Sequence, residues 1–166
     1  MDANLPERIR ARVVPECAEL TVAHGMPVVF LQPGQWLAAT RTLRDEFGFD
    51  MLLDLTAVDW PGQEQRFEVV AHLYATRERV RVRLKTRVTE ADPTVDSLVP
   101  LFGSACFLER ECHEMFGIRF NGNADLRPIL LYEGFVGHPL RKDYPKEQEQ
   151  PLVPYLETAR GNPRDA

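Results

Sequence analysis

RFEVVAHLYATRERVRVRLKTRV, residues 66–88, alternates apolar and polar positions almost without a break. Phe67, Val69, Ala71 and Leu73 fall at every second position of its first half, and Val80, Val82 and Leu84 do so in its second. Successive strand side chains point to opposite faces, so this period predicts two strands, Arg66 to Tyr74 and Arg79 to Val88, joined through Ala75-Thr76-Arg77-Glu78. The apolar face of the hairpin must be buried. Its other face collects Arg79, Arg81, Arg83, Lys85 and Arg87 into one basic stripe, with Glu68 expected near Lys85 to neutralise part of it.

Upstream, MLLDLTAVDW (residues 51–60) is mostly apolar and is ended by Pro61-Gly62, which predicts a strand in the middle of the sheet. Gln35 to Phe47 places Trp36, Leu37, Thr40, Leu43, Arg44 and Phe47 at helical spacing, with Gly48 as the stop. Two short runs, Ala18 to Ala23 and Val28 to Leu31, flank the turn residues His24-Gly25-Met26-Pro27 and read as strands. Leu5, Ile9 and Val13 share one helical face between Asn4 as cap and Pro15 as terminator. Downstream, Asp92-Pro93 opens a turn, Val95 to Phe102 reads as a short helix, and Leu108, Cys112, Met115 and Phe116 mark a longer one from Ala105 to Phe116, stopped by Gly117.

These elements predict an α/β domain of the α+β type over residues 1–120: a single two-layer unit, with a mixed sheet and helices packed on it. Residues 121–166 follow as an extended, Gly/Pro-rich segment and tail. Its last part, Lys146 to Ala166, is polar except for Leu152, Val153 and Tyr155 and buries too little surface to order itself alone.

At 166 residues, 44% of them hydrophobic, the chain has apolar material for one core. A formal net charge of -5 opposes general nucleic-acid binding, which favours a basic excess. The start, MDANLPERIRARVV, lacks a signal-peptide core, and no stretch approaches the roughly 20 apolar residues that span a bilayer, so membrane contact is expected only through partners. Cys17, Cys106 and Cys112 form no paired spacing and suit reduced thiols of a cytoplasmic protein.

Cys106, Cys112 and His113 are the best local metal-ligand candidates, but adjacent helix residues point about 100° apart, so Cys112 and His113 do not readily share an ion. Glu109-Arg110-Glu111 with His113 and Glu114 resembles acid–base equipment. On a helix, however, Arg110 with Glu114 and Glu109 with His113 are ordinary neighbour pairs. No glycine-rich phosphate loop follows a strand and opens a helix. No catalytic, cofactor or metal residue is therefore assigned. GFVGHPLRKDYP, residues 134–145, reads differently: glycines and prolines set an irregular path, with Phe135, Leu140 and Tyr144 as apolar anchors and Arg141, Lys142 and Asp143 as charges. Such a segment suits a partner's groove.

In order along the chain, Glu109-Arg110-Glu111, Glu114-Met115-Phe116-Gly117-Ile118, Asp125-Leu126-Arg127 with Ile129-Leu130, Gly134-Phe135 and Gly137-His138-Pro139-Leu140-Arg141-Lys142-Asp143-Tyr144-Pro145 resemble the C subunit of bacterial NADH:quinone oxidoreductase, the respiratory complex I type. Weaker similarity covers Asp50 to Trp60 and Phe67 to Tyr74. The resemblance implies a structural and assembly component of the peripheral arm of a proton-translocating enzyme. It would lie at the cytoplasmic side of the bacterial inner membrane, docked on the large quinone-site subunit and the terminal iron–sulfur subunit. It further implies that NADH, FMN, iron–sulfur clusters and quinone sit on partner subunits. The expected docking residues are Glu109, Arg110, Glu111, Phe135, His138, Leu140, Arg141, Lys142, Asp143 and Tyr144. The pattern departs at Asn123-Ala124, where the family has His-Pro, which leaves a homologous subunit of a membrane-bound hydrogenase or another quinone-linked dehydrogenase as the alternative, and a nucleic-acid-binding module using the basic strand as a third reading.

Overall fold

A computed structural model describes residues 4–13 and 19–150. The expected stop at Pro15 and the cluster of Leu152, Val153 and Tyr155 lie outside the described residues. Seven strands and three α-helices are present among them: α1 (Leu5–Val13), β1 (Leu20–Ala23), β2 (Met26–Leu31), α2 (Trp36–Phe47), β3 (Met51–Asp59), β4 (Phe67–Ala75), β5 (Val80–Val88), β6 (Thr94–Asp96), α3 (Ala105–Phe116) and β7 (Arg119–Asn121).

The 66–88 hairpin is the heart of the sheet. β4 and β5 pair antiparallel from Phe67↔Val88 to Ala75↔Val80, so the connection is Thr76 to Arg79, one residue later than expected. Arg79 turns the chain with φ 56. The five-stranded order is β1-β2-β5-β4-β3, with β2 parallel to β5 and the other neighbours antiparallel. The sheet is mixed, as the alternation of strands and helices predicts. The turn between β1 and β2 is shorter than expected, His24-Gly25 alone, because both residues take positive φ (53° and 73°) and Met26 and Pro27 already belong to β2.

Two expectations fail. The strand at 51–59 lies at the edge of the sheet, not in its middle, because the flanks of β5 are taken by β4 and β2. Its apolar run has two causes: Leu52, Leu55 and Ala57 face the core, while Met51 and Leu53 stay exposed. Residues 95–102 are not a helix. Thr94–Asp96 pairs parallel with Arg119–Asn121, and turns follow from Leu98. Pro93 and Pro100 flank too few residues to propagate a helix, and the pairing with a distant strand supplies backbone partners instead.

One face of the sheet is covered. Phe67, Val69, Ala71, Leu73, Val82 and Leu84 join Ile9 of α1, Trp36 and Leu43 of α2, and Cys112, Met115 and Phe116 of α3 in a single hydrophobic cluster. α2 ends at Gly48 (φ 74), whose N–H donates to the Leu43 carbonyl, and α3 packs on β3. The opposite face carries the cationic stripe. Glu68, 1% exposed, receives Lys85 Nζ at 2.7 Å and Arg87 Nε at 2.9 Å, the neutralisation expected from the alternation. No helix among the described residues is long and apolar enough to cross a membrane.

Candidate functional site

α3 organises everything after residue 117, and the reason is the arithmetic of helix ends. The last four carbonyls of a helix have no partner in the helix interior and need other donors. Here the His113 carbonyl accepts from Gly117 N–H at 2.7 Å. The Glu114 carbonyl accepts from His138 Nδ1 at 2.8 Å, which fixes the proton on that nitrogen. The Met115 carbonyl accepts from Leu140 N–H at 3.2 Å, and the Phe116 carbonyl from Arg141 Nε at 2.7 Å. Three of the four donors belong to residues 138–141, so this strap finishes the helix.

Side chains of α3 hold the preceding stretch by its backbone. Arg110 donates to the Arg127 carbonyl at 2.9 Å and the Pro128 carbonyl at 2.8 Å. Glu114 accepts from the N–H groups of Ile129, Leu130 and Leu131 at 3.3, 2.9 and 2.9 Å. The expected Arg110–Glu114 neighbour pair does not form, since Glu114 is taken by part-buried N–H groups and Arg110 by two carbonyls and, at 3.7 Å, by Asp125. Glu109 is wholly buried and accepts from Leu98 N–H (2.6 Å), Ser97 Oγ (2.8 Å) and Asn123 Nδ2 (2.9 Å). Burial pushes its carboxyl above the ordinary range against the pull of these donors. It does not pair with His113, whose Nδ1 meets the Ile118 carbonyl at 2.8 Å. Asn123, the position that departs from the family pattern, thus has a defined task. Glu111 is exposed on the outer face of the helix.

The strap's far end is anchored on the sheet. Arg66, 7% exposed, forms two parallel bonds to buried Asp59 at 2.8 and 2.9 Å. Asp143 adds 2.7 and 2.9 Å contacts to the same guanidinium, Glu90 one of 2.9 Å, and Lys142 N–H donates to Asp59 at 2.7 Å. Arg66 holds the carboxyls of Asp59 and Asp143 below their ordinary range, and the carboxylates raise Arg66. Arg141 lies over the Phe67 ring at 4.9 Å. Between these anchors Phe135 stacks on Tyr144 (centroids 6.2 Å, 17°) and meets Tyr132 edge-on, while Gln150 bonds the Tyr144 hydroxyl and both polar groups of Val136.

Of the residues singled out from the sequence, Arg110, Phe135, His138, Leu140, Arg141, Lys142, Asp143 and Tyr144 converge on this junction, Glu109 lies beneath it, and Glu111 stands apart. Asp59, Arg66, Ser97 and Glu114's grip on 129–131 escaped the sequence reading. A signal existed for Asp59: it continues the inward alternation of Leu55 and Ala57, and a carboxylate at a core-facing position demands a partner. The strap exposes three large aliphatic side chains among its charged ones: Leu130 is 63%, Val136 55% and Leu140 49% exposed. Its backbone faces the domain and these side chains face outward.

Gly117 (φ 77) makes the close approach possible. A Cβ there would sit 2.5 Å from Arg141 Nη2 and 2.6 Å from His138 Nε2. Gly117→Ala is expected to destabilise the chain by about 2 kcal/mol, from left-handed backbone plus displacement of the two side chains. Urea denaturation measures it, and a loss below about 0.5 kcal/mol would refute the assigned role.

Residues 29–150 match the family model described as respiratory-chain NADH dehydrogenase, 30 kDa subunit. Several relatives bear the name of the C subunit of NADH-quinone oxidoreductase. That of Citrifermentans bemidjiense is 40% identical over 138 residues, 83% of this chain and 86% of the relative. That of Agrobacterium fabrum is 44% identical over 126 residues, 75% of this chain but 62% of the longer relative. Among solved structures, the trypsin-resistant fragment (1-134) of Nqo5 superposes with TM-score 0.64 at 28% identity, over 74% of this chain and 97% of that one. A chain of the membrane-bound sulfane sulfur reductase, an archaeal respiratory membrane complex, superposes with TM-score 0.76 at 26% identity, over 87% of this chain and 85% of that one.

Proposed function

Because the chain belongs to the 30 kDa subunit family of respiratory-chain NADH dehydrogenase, we propose that it is a non-catalytic structural component of the peripheral arm of a proton-translocating NADH:quinone oxidoreductase. Residues 121–166 are its docking segment, with Arg110, Phe135, His138, Leu140, Arg141, Lys142, Asp143 and Tyr144 shaping that segment and Glu109 supporting it from below. Its partners are the large quinone-site subunit and the terminal iron–sulfur subunit. NADH, FMN, the clusters and quinone bind those and other partners, at the cytoplasmic side of the inner membrane.

The observation that carries this reading is the orientation of the strap. Its backbone, with Arg141 and Asp143, is committed inward to α3, Asp59 and Arg66, while Leu130, Val136 and Leu140 project outward. Exposed apolar side chains on a rigidly held irregular segment are the anchors that interfaces use. The non-catalytic reading draws support from what the polar groups already do: Glu109, Arg110 and Glu114 spend their hydrogen bonds on backbone and neighbouring side chains. The likeness to the sulfane sulfur reductase chain favours, as second reading, an equivalent place in another membrane-bound respiratory complex.

Leu130→Asp is expected to leave the melting temperature of the isolated chain within a few degrees of wild type while abolishing co-purification with the other subunits from mild detergent extracts. Identification of the co-eluting subunits separates the two readings. Undiminished co-purification of the variant would reject the docking role.

A further inference from the structure

At the end of the sheet away from the strap's anchor at Asp59, the β1–β2 and β4–β5 turns and the start of α1 enclose an open groove of about 570 Å³. Its apolar wall includes Leu5, Val22, Met26, Tyr74 and Val80, and Val22 is 57% exposed. Arg79 and Arg81 form its rim, and Arg83 follows Arg81 on the same face of β5, because strand residues two apart point the same way.

The charges here differ from those farther along the strand. Lys85 and Arg87 share Glu68, whereas Arg79, Arg81 and Arg83 form no ion pair among the described residues. Arg81 lies over the Tyr74 ring at 5.9 Å, and Arg83 Nε donates to His72 Nε2 at 2.8 Å, an acceptor that leaves the guanidinium charge uncompensated. In a chain of formal net charge -5, three cations without an ion-pair partner among the described residues, beside an apolar groove, make a local field that selects an anionic partner.

We infer that this groove, with Arg81 and Arg83, docks an acidic segment of another protein subunit: one apolar side chain seats against Met26 and Tyr74, which flank Arg81 on the same face of the sheet, and carboxylates at alternate positions of an extended backbone meet the two guanidiniums. The spacing of Arg81 and Arg83 along β5 is the spacing of alternate residues in such a segment. Nucleic acid fits less well, since Tyr74 is the groove's aromatic ring and Arg81 already covers it. The inference rests on the chain being an assembled subunit, but it concerns a surface separate from the strap.

The test uses the assembled complex in mild detergent. Joint replacement Arg81→Glu and Arg83→Glu is expected to lower retention of this chain roughly tenfold at moderate salt, and Met26→Asp to do the same, while each isolated variant melts as wild type does. In a complex carrying Arg81→Lys and Arg83→Lys, carbodiimide coupling is expected to link the new amines to Asp or Glu of another subunit. Unchanged retention in both groove variants, while Leu130→Asp releases the chain, overturns this inference and leaves the strap reading intact. Release by the groove variants with retention of Leu130→Asp does the reverse. Coupling confined to Glu157 or Asp165 of the same chain, nuclease-sensitive retention, or binding of the isolated chain to anionic lipid vesicles through these arginines would each overturn it.

Discussion

Arg66→Ala is expected to cost the isolated chain about 3–5 kcal/mol at neutral pH, the usual penalty for stranding one partner of a buried ion pair. Asp59 sits among core residues, and its side chain is fully buried. Arg66 supplies two of its hydrogen bonds, and Lys142 N–H a third. Without the guanidinium, Asp59 must protonate or draw in water, and Asp143 loses its hold on the sheet. The strap should then be cleaved by proteases near residues 138–145 while the hairpin core persists. The pH dependence has a definite sign. Asp59 and Asp143 have depressed carboxyl pKa values in the folded state. The stability they contribute is present above the unfolded carboxylate range, about 4, and is lost as pH falls through their folded values. The gap between wild type and Arg66→Ala should therefore shrink below about pH 4. Urea denaturation at pH 7 and pH 3.5 reads both effects. A gap that is independent of pH would mean that the arginine acts through packing on Phe67, above which it lies at 5.1 Å, and not through its charge.

Glu109→Ala should be almost as damaging, at about 3 kcal/mol, because it leaves the Leu98 N–H, the Ser97 hydroxyl and the Asn123 amide without their shared acceptor and opens a void beneath α3. Glu109→Gln keeps the volume and one carbonyl acceptor and should recover most of that loss. Here the titration runs opposite to that of Asp59. Burial raises the Glu109 carboxyl, so the folded chain binds the proton more tightly than the unfolded one, and wild-type stability declines as pH rises through that range. The advantage of wild type over Glu109→Gln should consequently narrow between pH 4 and pH 7. Thermal melts of the three proteins across that interval decide it. If Glu109→Ala matched wild type within about 0.5 kcal/mol, the network beneath α3 would have no structural weight.

Both residues are buried within the chain. Glu109 ties α3 to the β6 region and to Asn123, and Arg66 ties the strap to the sheet, so each presets the outward display of Leu130, Val136 and Leu140. A segment held in one shape before binding loses less conformational entropy when it binds. The proposed docking role therefore connects to core stability through a small number of buried carboxylates.

The alternation at 66–88, the leucine and aromatic spacing at 35–47 and 105–116, and the glycines at 48 and 117 determined the hairpin, two helices and their ends, because period and left-handed backbone are local properties of the chain. The order of strands was not local. Whether 51–59 lies at the centre or the edge depends on β2 occupying the second flank of β5, and residues 94–96 became a strand only because residues 119–121, far along the chain, offered them backbone partners. The same holds for the site. Arg110, Glu114 and Glu109 look like surface neighbours on a helical projection, yet tertiary folding brings the backbone of 127–131 and the Leu98–Asn123 region within hydrogen-bond reach, and a buried acceptor gains more from a buried N–H than from a solvated cation.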